Sequence, residues 1–111
     1  AMRVLHGTAD TEVPYDGGSV GDVGNLYSPG AQAIASFWAE KNGCSPTPDT
    51  SAPNPDLEMG IAGAETTVSR FTGCAPGGDV ELWSMQGAGH LPYLTPDFHE
   101  IVWDFLAAHS K

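Results

Sequence analysis

Glycine and proline punctuate this chain so densely that only five short segments remain to form regular structure. Fourteen glycines and nine prolines fall among 111 residues, and clusters of them end one apolar run after another. Met2-Arg3-Val4-Leu5-His6 reads as a buried strand that empties at Gly7 into a polar, Gly-rich loop over residues 7–27. Ser28-Pro29 offers an N-cap and a first helical position. Ala31, Ile34, Ala35 and Trp38 then share one helical face, and Gly43 suits the terminator. Residues 45–58 are rich in Pro, Ser, Thr and Asp and read as surface loop. Residues 66–71 and 80–85 alternate as strands. In the second, Val80, Leu82 and Ser84 face one way, and Glu81, Trp83 and Met85 the other. The short turn between the strands suggests that they pair as neighbours. Thr95-Pro96-Asp97 opens a last helix with an apolar stripe at Phe98, Ile101, Val102, Phe105 and Leu106.

The order strand, helix, strand, strand, helix predicts an α/β fold with a largely parallel sheet and crossover helices. Such a sheet places functional loops beyond the C-terminal ends of its strands. Two Gly-rich loops stand at such ends, one after His6 and one after Met85. The length allows one domain over residues 1–111, short of the roughly 200 residues that doubly wound enzymes use.

Four basic residues against fourteen acidic ones give a formal charge of −10. A basic patch for a nucleic-acid backbone cannot be built from these, and an anionic membrane surface is disfavoured for the same reason. No stretch approaches the roughly 18 apolar residues of a membrane span. Trp38, Trp83 and Trp103 supply apolar bulk, the last two suited to core or sheet-face packing. Cys44 and Cys74 are the only cysteines. They can be free thiols or a disulfide. Their places beside Gly43 and Gly73, just past predicted elements, favour a disulfide and with it an oxidising compartment. Ala1-Met2 leads straight into the first apolar run, so a secreted form would carry its leader upstream.

Each Gly-rich loop holds one group fit for proton transfer. The first is Asp10, within His6-Gly7-Thr8-Ala9-Asp10-Thr11-Glu12-Val13-Pro14-Tyr15; the second is His90, within Gly87-Ala88-Gly89-His90. A hydrolytic triad needs a carboxylate to orient an imidazole, and an imidazole to take the nucleophile's proton. An Asp in a loop is ordinarily a turn residue and a His in a Gly-rich loop ordinarily a surface one, so the pair weighs more than either alone. Gly17-Gly18-Ser19-Val20-Gly21 matches Gly-x-Ser-x-Gly in letters only. That motif requires a strand before it and a helix after it, and here Pro14-Tyr15-Asp16 precedes and more glycine follows. Ser19 is therefore read as loop, which leaves the chain without a nucleophile. The four histidines, His6, His90, His99 and His109, show no metal spacing. Asp16, Asp22, Asp49 and Asp56 lack the spacing of a calcium loop. Neither a metal nor an organic cofactor is implied.

The segment from His6 to Gly18 closely resembles the acid-bearing segment of the polyhydroxybutyrate depolymerase and feruloyl esterase group of α/β-hydrolases. Phe37-Trp38-Ala39-Glu40-Lys41-Asn42-Gly43-Cys44 resembles the helix that follows it, and Gly87-Ala88-Gly89-His90-Leu91-Pro92 resembles its histidine loop. The resemblance covers nearly the whole chain in order and spacing. It implies the C-terminal half of an α/β-hydrolase fold, with Asp10 as triad acid, His90 as general base, and a serine supplied by an N-terminal half. Cys44 and Cys74 resemble a cysteine pair of secreted members. Leu91 stands where many members carry an aromatic residue; with Val13 and Tyr15 it is a candidate to line the substrate pocket. The expected function is a secreted or periplasmic serine-type ester hydrolase acting on a polyester or an esterified plant polysaccharide. The alternative is a non-catalytic interaction domain that self-associates.

Overall fold

The structure, a computed structural model, describes residues 1–22 and 24–110. In chain order the elements are β1 (Met2–Gly7), β2 (Gly17–Ser19), β3 (Tyr27–Pro29), α1 (Ala31–Lys41), β4 (Thr66–Phe71), β5 (Val80–Met85) and α2 (Phe98–Ala108). The five expected segments all form, and a small hairpin is added.

Strand direction departs from the expected fold class. The main sheet has three strands in the order β1-β5-β4. β1 runs parallel to β5, but β4 runs antiparallel to β5, as β2 does to β3. The sheets are mostly antiparallel. The strand–helix alternation of a largely parallel α/β sheet, read as the C-terminal half of an α/β-hydrolase fold, is not what this chain builds. The reason lies in the connection after Phe71. It turns within a few residues, too few for a crossover, so β5 returns alongside β4.

The hairpin's first strand falls inside the expected loop over residues 7–27, of which Val23 lies outside the described residues, and its second strand runs past the loop's end. Gly17, Gly18 and Ser19 pair with Pro29, Ser28 and Tyr27. Ser28 and Pro29 are thus strand residues rather than a helix start, and α1 begins at Ala31 after Gly30. Tertiary closure decides this. The Ala31 amide donates to the Tyr15 carbonyl at 2.8 Å, and a Cβ on Gly30 would lie 2.7 Å from the Asp16 carbonyl carbon. Only glycine lets the chain cross itself there.

α1 ends as the sequence predicts. Gly43 takes a positive φ of 70°. The Cys44 amide donates to Ala39 and the Gly43 amide to Glu40, the paired bonds of a Schellman terminus. This end is fastened to the β4–β5 turn. Asn42 Nδ2 donates to the Gly78 carbonyl at 2.8 Å, and Cys44 is disulfide-bonded to Cys74.

Apolar side chains cover both faces of the sheet. On one, Ala31, Ala35 and Ala39 of α1 pack on Phe71, Val80 and Leu82. The small alanines let the helix sit close, which leaves Ile34 half-buried and Trp38 exposed. On the other, Val68, Trp83 and Met85 pack with Leu57, Ala88 and the half-buried Phe98 and Ile101. Trp83 is buried as expected. Trp103 is not: 67% of it is exposed, because it lies on the outer side of α2. A charged row crosses this second face. Arg3 and Arg70 flank Glu81 in register, at 2.9 and 3.1 Å. The Arg3 guanidinium also donates to the Ile101 carbonyl at 3.0 Å and stacks between the rings of Trp83 and Phe105. It thereby ties α2 to the sheet.

Candidate functional site

Because β1 and β5 run parallel and in register, Gly7 opposite Met85, both strands deliver their Gly-rich loops to the same edge of the sheet. Three hydrogen bonds join the loops, two between backbones and one from a backbone to a side chain. Thr8 donates to Met85 and Ala9 to Ala88, each at 3.0 Å, and the Gly87 amide donates to Thr8 Oγ1 at 2.9 Å. Gly7 lies against the backbone of Ala88 and Gly89 so closely that no side chain fits.

These contacts bring Asp10 and His90, 80 residues apart, within hydrogen-bond distance. His90 Nδ1 lies 2.9 Å from Asp10 Oδ2. The carboxylate is turned inward, its side chain 5% exposed, whereas that of His90 is 45% exposed. Burial opposes charging Asp10, but hydrogen bonds from His90 and from the Val13 and Glu12 amides outweigh it, holding the carboxyl below its ordinary range. An ionised carboxylate only accepts, so Nδ1 of His90 carries the proton. In the neutral ring Nε2 then presents its lone pair, and no described residue bonds to it. That is the tautomer a general base requires.

The pair borders an open cavity of about 340 Å³, walled by apolar groups that include Leu5, Val13, Met85, Leu94 and Phe98. Of the three residues expected to line a substrate pocket, Val13 borders this cavity. Tyr15 faces another cavity, of about 380 Å³, between α1 and the sheet. Leu91 stands outside the lining and is 86% exposed. Ser19 lies in β2, followed by a hairpin rather than a helix, so no nucleophile elbow forms around it. Among the described residues no group of three or more His, Cys, Asp or Glu side chains could hold a metal ion. His99 and His109 bond to backbone carbonyls of their own helix segment, and His109 also meets Asp79 at 3.0 Å.

One participant escapes a reading of the sequence. His6 Nε2 lies 2.8 Å from the Val13 carbonyl and 3.2 Å from Asp10 Oδ2. The signal was its place as the last side chain of β1, immediately before the loop that carries Asp10. A search for metal-ligand spacing passes over it. The apolar walls from Leu94 and Phe98 were equally hidden: Phe98 was legible only as a helical stripe position, and Leu94 lies between regular elements.

Comparison with known proteins finds no matching family model, no matching curated protein and no matching solved structure, so a functional reading rests on the site itself.

Proposed function

We propose that this chain supplies the acid and the base of a serine-type carboxylic-ester hydrolase. The carrying observation is the 2.9 Å contact between Asp10 Oδ2 and His90 Nδ1, which leaves Nε2 without a described partner in a ring that borders a largely apolar cavity. In the assembled enzyme, His90 Nε2 takes the proton of a serine hydroxyl as its oxygen attacks the ester carbonyl. Asp10 stabilises the imidazolium that results. The same proton then passes to the departing alkoxide, and a water repeats the cycle on the acyl-serine. The serine and the oxyanion hole come from an N-terminal half of the same enzyme. The apolar walls suit the hydrocarbon part of an ester rather than an ion. By the motif resemblance the ester is a polyhydroxyalkanoate, a feruloylated or acetylated polysaccharide, or a small aryl ester. The disulfide favours secretion or a periplasmic location. No described helix is long and apolar enough to cross a membrane.

A p-nitrophenyl acetate assay tests this in two arms. The chain alone should show no serine-dependent turnover, and the chain joined to a nucleophile-bearing half should show turnover that His90→Ala abolishes. Efficient hydrolysis by the isolated chain, blocked by a serine-directed phosphonate, refutes the reading.

A second reading, a self-associating interaction domain without catalysis, is favoured by exposed apolar bulk. Leu26, Tyr27, Phe37, Trp103 and Leu106 are all more than half exposed or at half, and β1 has one unpaired edge. Light scattering after size exclusion separates the two: a dimer without activity on reconstitution supports this one, and a monomer counts against it.

A further inference from the structure

We propose that His6 is the positioning residue of the Asp10–His90 pair, holding the Asp10 loop by its Val13 carbonyl so that Oδ2 stays aimed at the base. The significance for ester hydrolysis rests on the function proposed above; the positioning itself does not.

A carboxylate offers about four acceptor directions. Asp10 Oδ1 takes the amides of Glu12 and Val13, each at 2.9 Å. Oδ2 takes His90 Nδ1 at 2.9 Å and meets His6 Nε2 at 3.2 Å. Three of these directions are therefore filled by hydrogen bonds, and the His6 ring stands beside Oδ2 without donating to it. The two donors on Oδ1 come from the carboxylate's own loop and move with it. His6 differs, because it belongs to β1 and registers opposite Ser84 of β5.

The proton on His6 follows from its partner. The Val13 carbonyl only accepts, so Nε2, 2.8 Å from it, must carry hydrogen. This N–H goes to the backbone carbonyl of Val13, the residue whose amide bonds Asp10 Oδ1, and Nε2 rests 3.2 Å from Oδ2. The ring itself is held in turn. It meets Tyr15 edge to face, centroids 5.7 Å apart, and the Tyr15 hydroxyl is hydrogen-bonded to Ser84 Oγ at 2.6 Å. A continuous chain of contacts thus runs from the central strand through Ser84, Tyr15 and His6 to Asp10. Loops hold a side chain less firmly than strands do, and a base held by a loop carboxylate gains from such an anchor.

Long-range proton–nitrogen NMR of the imidazoles in the chain as it stands is the test. In the native chain His6 should be the Nε2–H tautomer and His90 the Nδ1–H tautomer. His6→Gln, which restores an amide N–H near the same place, should keep the His90 tautomer. His6→Phe, which keeps the ring against Tyr15 but donates nothing, should convert His90 to a tautomer mixture. A native His6 with its proton on Nδ1 overturns the proposal without any variant. So does a folded His6→Phe chain whose His90 remains wholly Nδ1–H. None of these readouts needs a nucleophile. A chain that passes them yet never hydrolyses an ester on reconstitution keeps the positioning role and loses only the ester reading.

Discussion

Gly7 and Ala88 touch backbone to backbone, and a Cβ on Gly7 would overlap the Ala88 carbonyl and lie 2.6 Å from that of Gly89. Both obstacles are main-chain atoms that also accept or flank the bonds joining the two loops. Gly7→Ala should therefore spread the loops and separate His90 from Asp10. Overpacking of this kind costs roughly 1–3 kcal/mol. Urea unfolding should show that loss, and the His90 ring should revert to a mixed tautomer by NMR. An unchanged midpoint with an intact Asp10–His90 contact would refute the close approach.

Asp10 also predicts how stability depends on pH. Burial disfavours its charge, yet the bonds from His90, Val13 and Glu12 prevail and its folded pKa lies below the unfolded value. Glu65 behaves alike: burial opposes its charge, and the Thr66 hydroxyl and the Leu57 amide prevail among the bonds it accepts. A depressed carboxyl contributes stability in full above its unfolded pKa, about 3.9 for Asp and 4.3 for Glu. That contribution is lost as pH falls from there through the folded values. Asp10→Asn and Glu65→Gln should each flatten the acid limb of a stability–pH curve below about pH 4. In a reconstituted enzyme Asp10→Asn should also lower kcat by about 10⁴-fold, since the amide misdirects the imidazole.

Arg3 is predicted to resist its conservative replacement. It pairs with Glu81, donates to Ile101 and lies between two aromatic rings at 4.1 and 4.0 Å. A lysine is a point charge and cannot do all three. Arg3→Lys should cost about 1–3 kcal/mol and loosen α2 first, because α2 loses the tie to its Ile101 carbonyl. Hydrogen exchange along residues 98–108 reads this directly. A loss spread evenly over the chain would show that Arg3 does not tether that helix.

Reducing the Cys44–Cys74 bridge opens a loop spanning a sequence separation of 30. In the chain-entropy model the loss is about 3–4 kcal/mol. Cys44→Ser with Cys74→Ser should lower the urea midpoint accordingly. The Asp10–His90 contact should survive, since the bridge lies at the opposite end of β5 from the histidine loop.

Much of this was legible in the sequence because side-chain periodicity reports faces. The alternation of Val80, Leu82 and Ser84 against Glu81, Trp83 and Met85 assigns both faces of β5 correctly. Gly43 marks the end of α1, and the two Gly-rich loops mark where Asp10 and His90 meet. Periodicity carries no strand direction, however, so the antiparallel β4 was invisible to it. Nor does it foresee how close a helix packs. The stripe through Ile34 and Trp38 looked like the buried face of α1, but alanines at 31, 35 and 39 allow a closer seat. Gly17-Gly18-Ser19 has almost no strand propensity, and only the crossing at Gly30 makes it a strand. His6 was missed because its hydrogen-bond partner is a backbone carbonyl reached through folding.

The parallel pairing of β1 with β5 joins the first strand to the last. Contacts of such long sequence separation form late in folding, since loop closure must be met before they give anything back. No local fragment can hold Asp10 against His90. The bridge at Cys44 shortens the path between the two strands, but that eases closure by only about 0.4 kcal/mol. The histidine tautomer is consequently a clock for the whole chain: it should set last, after every other element is in place.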